Sequence, residues 1–176
     1  MPTTLPDRPI RRIITVCSGN ICRSPIAHAM LDHHARKAGL SLMVLSMGTL
    51  DLNGQHAHPL AVECLREIGI PLGHHRSQGV SIGLLAHADL VLVMATEHQK
   101  WLARHGFTAM ERVVVAGTLD PLDGRPDVED PVDGTLEDFV ACRERLERIV
   151  TELIHQISSS SVARAQSHPS SRSSDG

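Results

Sequence analysis

The sequence predicts an α/β fold: a three-layer open sheet of four parallel strands flanked by helices. Three observations predict it. Short apolar runs alternate with helix-like stretches along the chain. The run Leu90-Val91-Leu92-Val93-Met94 shows no polar alternation, as a strand covered on both faces requires. The first β-branched run leads through a Gly-containing turn into a helix opened by Pro25. Such strand and helix alternation pairs strands in parallel through right-handed crossovers, and ligands of these sheets bind beyond the carboxyl ends of the strands.

Ile13-Ile14-Thr15-Val16 is the first strand. The helix from Pro25 carries Ala29, Met30 and Ala38 and closes at Gly39. A second strand over residues 42–46 is followed by a polar loop and a helix over 59–68, stopped by Gly69. After the third strand, Thr96 is placed to cap a helix carrying Trp101 and Leu102, ended by Gly106. Val113-Val114-Val115 is the fourth strand. A loop rich in Pro, Gly and Asp spans residues 116–134. A long amphipathic helix then starts at Thr135, with Phe139, Leu146, Ile149, Val150, Leu153 and Ile157 at roughly helical spacing. Over residues 158–176, nine of nineteen are Ser, too little apolar surface to offset ordering entropy. The expectation is therefore one domain over residues 1–157 and a disordered Ser-rich tail over 158–176.

Composition narrows the function classes. The chain has 176 residues with 17 basic and 20 acidic side chains, a net charge of −3, which gives no electrostatic case for nucleic-acid binding. Aromatics are 2%, two Phe and one Trp with no Tyr, so a stacking platform for bases is not expected. No apolar run approaches the roughly 18 residues needed to cross a bilayer, and the opening residues do not read as a signal peptide. Four cysteines, at 17, 22, 64 and 142, are too sparse for a disulfide scaffold, and their spacing lacks the second ligand pair of a zinc site. A reducing, cytoplasmic location is the expectation.

The chemistry lies directly after the first strand, in Cys17-Ser18-Gly19-Asn20-Ile21-Cys22-Arg23-Ser24-Pro25. Gly19 and Asn20 let the backbone curl so that consecutive N–H groups converge, and the first helical turn adds unpaired donors and its positive dipole end. The result is an oxyanion or phosphate cradle. A cysteine at its base is expected to titrate below the usual value of about 8.5, in the range of roughly 3.5 to 7.5. Arg23 at the lip suits bidentate phosphoryl binding, and Ser24 can donate to the thiolate.

These residues resemble the signature of the low-molecular-weight protein-tyrosine phosphatases at every diagnostic position. The likeness extends to Ser46-Met47-Gly48-Thr49, to Gly69-Ile70 with His75-Arg76-Ser77, and to Ala88-Asp89 with the third strand. Glu129-Asp130-Pro131 sits where that family keeps its general acid, with Asp120-Pro121 a rival in the same loop. The resemblance implies a metal- and cofactor-free hydrolase acting on a phosphorylated protein. Cys17 is its nucleophile and Asp130 its acid, Arg23 and the loop 18–24 hold the phosphoryl group, and a support network runs through Asn20, Ser46 and His75, with His74 as the adjacent alternative. Cys22, facing Cys17 across the loop, is a candidate partner for a reversible protective disulfide.

The chain departs from that pattern where phosphotyrosine enzymes usually wall the pocket with aromatics: it has Leu52 in one region and Val132-Asp133 in the other. In this it is similar to the bacterial protein-arginine phosphatase branch. That branch carries a Thr at the position of Ile21, and an apolar side chain there offers no hydroxyl to a phosphoguanidinium group. Phosphotyrosine is therefore favoured, with phosphoarginine as the alternative. A thioredoxin-coupled arsenate reductase would need a further cysteine pair near the third strand, and residues 73–109 contain none. A non-catalytic phosphopeptide-binding module would need neither Cys17 nor Asp130.

Overall fold

The computed structural model describes residues 4–167. Four strands, β1 (Arg12–Cys17), β2 (Met43–Gly48), β3 (Leu90–Val93) and β4 (Val113–Val115), form one sheet in the order β2-β1-β3-β4. All neighbours are parallel, with Cys17 opposite Gly48 and Val16 opposite Val93. The helices are α1 (Arg23–Lys37), α2 (Pro59–Arg66), α3 (Ile82–Leu85), α4 (Thr96–Arg104) and α5 (Leu136–Ser167). Short 3-10 turns span Met110–Arg112 and Ala116–Leu119. The expected three-layer architecture is the observed one.

Its two cores follow from the pleat, which sends successive strand residues to opposite faces. Ile13, Leu90 and Leu92 join Met30, Leu65, Phe139 and Leu146 beneath α1, α2 and α5. Ile14, Val16, Val91 and Val93 pack on the other face with Leu85, Leu102 and Phe107. The strands are therefore buried on both sides, which is why β3 reads as an unbroken apolar run. Asp89 anchors the amino end of the sheet by accepting from the Arg11 and Arg12 amides at 3.0 and 2.9 Å.

Two local expectations are corrected and one element is added. Thr96 does not cap α4: it is the first helical residue, and its amide and hydroxyl both donate to Asp127 Oδ1 at 2.7 Å. The small helix α3 went unread because four residues are too few for a helical period. Residues 158–167, placed by composition in a disordered tail beyond 157, instead continue α5. Their serines bond back to the helix, Ser161 Oγ donating to the Ile157 carbonyl at 2.9 Å, and Arg164 reaches Asp7 at 3.0 Å. Hydroxyls satisfied in this way remain compatible with a helix that a packed face already supports. The rest of the expected tail, 168–176, lies outside the described residues. Among the described residues no helix is long and apolar enough to cross a membrane.

Candidate active site

The turn from β1 to α1 is built around Asn20, whose φ of 54° puts it in the left-handed region, a conformation that Asn tolerates because its short polar side chain bonds locally. Gly19 contributes to the curl without a positive φ. Helix α1 starts at Arg23 with Cys22 as its cap residue, and no side chain bonds that helix end. The first-turn donors and the positive dipole end therefore face the loop.

Two donors converge on the Cys17 sulfur, which is buried with 2% exposure. The Asn20 amide donates to Sγ at 3.3 Å, and Ser24 Oγ lies 3.0 Å from it. Ser24 accepts from Asn20 Nδ2 at 2.9 Å; its single proton is then free for the sulfur or, at 3.3 Å, the Met47 carbonyl. Cys22 is also buried, and burial first, then the Asp130 and Cys17 charges, pushes its thiol pKa up. All four cysteines are free thiols.

Arg23 is 4% exposed. Its Nη1 donates to the Val128 carbonyl at 3.0 Å, and Nη2 donates to Asp130 Oδ2 at 2.7 Å and to Ser18 Oγ at 3.4 Å. Its buried Nε has no hydrogen-bond partner among the described residues, a donor in surplus beside the loop. Asp130 also accepts from the Val132 amide at 3.2 Å.

The loop is braced from behind. His75 Nε2 meets the Asn20 carbonyl at 2.7 Å, so this nitrogen carries the proton; His75, not His74, makes the contact. Burial first, then His28, His74 and Arg76, holds the His75 pKa below the usual histidine value despite this bond. Ser46 has its hydroxyl 3.4 Å from His28 Nδ1, and its carbonyl accepts from Gln78 Nε2 at 3.0 Å. Gln78 makes the link to the loop, its amide donating to Asn20 Oδ1 at 2.9 Å. At the end of β2, a Cβ on Gly48 would lie 2.6 Å from the Ser18 carbonyl oxygen and 2.9 Å from the Asn20 nitrogen, so glycine is what lets the strand meet the loop.

One contact went unread in the sequence. His98 on α4 is 1% exposed, and its Nε2 lies 3.0 Å from Ser18 Oγ. Burial first, and then Arg23, pushes its pKa down to about 4, so the ring is neutral at pH 7. Ser18 Oγ accepts from Arg23 and can donate its own proton to that nitrogen. Only its place just past the carboxyl end of β3 hinted at this role.

At the mouth, Ile21 and the Leu52 side chain flank Gly19. Leu52 is 39% exposed, and the nearby Leu50, whose amide donates to the Ser18 carbonyl, and Val132, whose amide donates to Asp130, are exposed aliphatic side chains.

A family model described as low molecular weight phosphotyrosine protein phosphatase matches residues 12–164. A protein-arginine-phosphatase of Bacillus subtilis is 34% identical over 145 residues, 82% of this chain and 95% of that protein. The probable low molecular weight protein-tyrosine-phosphatase EpsP of Ralstonia nicotianae is 34% identical over 149 residues, 84% of this chain and 97% of that one. Among solved structures, a mutant of the YwlE arginine phosphatase with a phosphorylated active-site serine superposes with a TM-score of 0.78 at 33% identity, covering 84% of this chain and 95% of the other.

Proposed function

The chain belongs to the low-molecular-weight phosphotyrosine protein phosphatase family, and we propose that it hydrolyses phosphotyrosine in proteins with Cys17 as nucleophile and Asp130 as general acid. The observation that carries this reading is that one short loop holds the Cys17 sulfur, contacted by the Asn20 amide and Ser24 Oγ, while Arg23 at its end bonds both Ser18 Oγ and Asp130.

In the first displacement the Cys17 thiolate attacks phosphorus and the bond to the phenolic oxygen breaks. Asp130 gives its proton to that oxygen, leaving a cysteinyl phosphate. Asp130, now a carboxylate, then takes a proton from water, whose oxygen attacks phosphorus. The sulfur–phosphorus bond breaks, releasing inorganic phosphate and the thiolate. Arg23 and the loop amides hold the equatorial oxygens in both steps, the electrostatic contribution that dominates phosphoryl transfer. The phosphorylated active-site serine of the YwlE mutant supports a covalent intermediate at the corresponding position.

Ile21 favours phosphotyrosine, because its side chain beside Gly19 is apolar and leaves no hydroxyl for a guanidinium. Phosphoarginine hydrolysis is the second reading, favoured by relatives named protein-arginine-phosphatase that align over most of the chain. Side-by-side hydrolysis of phosphotyrosine, phosphoserine and phosphoarginine peptides, with arsenate reduction assayed in parallel, decides between them. The expected result is turnover highest on phosphotyrosine. Faster turnover of phosphoarginine selects the second reading, and arsenate reduction alone removes both.

A further inference from the structure

Resting on the reading above, in which Asp130 supplies the proton, we propose that Arg145 on α5 is a positioning residue that sets the loop carrying Asp130 and so fixes where its carboxyl group stands.

A guanidinium taken out of water is costly unless its donors are used. The Arg145 side chain is 9% exposed, and its donors are spent on one segment. Nε donates to Asp120 Oδ2 at 3.2 Å. Nη1 donates to the Asp127 carbonyl, and Nη2 to the carbonyls of Arg125 and, at 3.4 Å, Asp123. One side chain on a rigid helix thus gathers acceptors from four residues between positions 120 and 127. Main-chain carbonyls have fixed positions in a chain, so bonding them sets the path of the backbone rather than the pose of a flexible side chain.

Asp120 is the counter-ion that makes this possible. Its carboxylate is fully buried and also accepts from Arg148 Nη2 and Nε at 2.7 and 2.9 Å. Burial raises its pKa, but the bonds from Arg148, Leu122 and Arg145 outweigh that and hold it below the usual carboxylate value. A carboxylate held ionised between two guanidinium groups has no proton to deliver. Asp120, the rival acid in the sequence, is therefore half of the clamp.

The segment is passed directly to the site. Asp127 accepts from the Thr96 amide and hydroxyl at the start of α4, the Val128 amide donates to the Met94 carbonyl at 2.8 Å, and the Val128 carbonyl accepts from Arg23 at 3.0 Å. Asp130 follows two residues later, within about 10 Å of chain even if fully extended from Asp127. Its own partners are Arg23 and the Val132 amide, so its position relative to the leaving oxygen is inherited from the segment that Arg145 holds. A displacement of about 1 Å in such a group can cost on the order of 100-fold in rate.

The experiment measures kcat/KM of the full chain for aryl phosphates with leaving-group pKa values from about 4 to about 10, where general-acid assistance matters progressively more. Arg145→Met, Arg145→Lys and Asp120→Asn are compared with wild type and with Asp130→Ala. Alkylation of Cys17 by iodoacetate and inhibition by inorganic phosphate monitor the cradle. Arg145→Met is expected to lose about 10- to 100-fold on the poorest leaving groups and under about threefold on the best. Arg145→Lys should recover part of that loss, since an ammonium still reaches some of the carbonyls, and both cradle readouts should stay within about twofold of wild type. If Arg145→Met does not fold, Arg145→Lys and Asp120→Asn carry the test and should show the same selective loss in smaller measure. Loss of equal size on every substrate, or none, while Asp130→Ala remains selective for poor leaving groups, overturns the proposal for Arg145. A flat profile for Asp130→Ala removes instead the reading on which it rests.

Discussion

Arg23 Nη2 and Asp130 Oδ2 form a 2.7 Å ion pair, so the residue assigned to hold the phosphoryl oxygens is bound to the carboxylate assigned to protonate the leaving group. The Arg23 side chain is 4% exposed and that of Asp130 36%. Asp130 thus takes one of the guanidinium's donors. An arriving phosphate competes for Arg23 with more charge and more oxygens. The carboxyl group released from Arg23 is then free to face the leaving oxygen, as the first displacement needs.

Removal of that carboxyl group separates its two roles. Asp130→Ala is expected to lower kcat/KM by about 100- to 10,000-fold for poor leaving groups and much less for good ones. Because it frees Arg23, inorganic phosphate should bind no more weakly than to wild type. A steady-state series with phosphate as competitive inhibitor measures both; weaker phosphate binding would contradict the competition described above.

Gly48 makes the end of β2 a sensitive position for the cradle. In Gly48→Ala the added methyl group meets backbone atoms of Ser18 and Asn20, not the ends of flexible side chains. The cost is expected to be about 1–3 kcal/mol, as for other overpacked sites, together with weaker phosphate binding. Urea denaturation and phosphate inhibition read the two effects. An unchanged midpoint with unchanged inhibition would mean that β2 and the loop can part without consequence.

His98 imposes a pH dependence on stability whose sign follows from its depressed pKa. The folded state holds the ring neutral to a pKa of about 4, whereas the unfolded chain takes up the proton near 6.5. Stability is therefore lost as pH falls through that window, by up to about 3 kcal/mol from this residue. His28 and His75 are shifted in the same direction, chiefly by burial, so the comparison with His98→Gln isolates its share. The variant should show a shallower loss between pH 7 and pH 5 in urea denaturation. Parallel curves would remove His98 from the acid response.

Most of the candidate site was legible because it is local. Cys17 to Pro25 are contiguous, and a strand before them with a helix after them is sufficient to predict an anion cradle. The strand faces were legible for a similar reason, as burial on both sides leaves an unbroken apolar run. What escaped were bonds between distant segments. Ser18 and His98 are 80 positions apart and Asn20 and Gln78 are 58 apart, and no spacing rule connects either pair. Thr96 was misread by the same logic: a cap signal is local, but its hydroxyl answers Asp127, 31 residues away. The helix beyond 157 is not legible from composition, because serines with little apolar surface can still bond the preceding turn, as Ser161 does.

Ile21 offers a test of substrate choice. Ile21→Thr places a hydroxyl in the cradle wall, and one added hydrogen bond to a guanidinium corresponds to about tenfold in rate. The ratio of phosphoarginine to phosphotyrosine turnover should rise by about that factor. A ratio that stays constant while both activities persist would show that this wall does not select the leaving group.

The most direct measurement is rapid acid quenching of the chain during turnover of a phosphotyrosine peptide, followed by mass mapping of the phosphorylated residue. A cysteinyl-phosphate mechanism requires a phosphate on the Cys17 sulfur that forms within one turnover, and no sustained turnover by Cys17→Ser. Turnover with no phosphate on Cys17, or wild-type rates from Cys17→Ser, would contradict it.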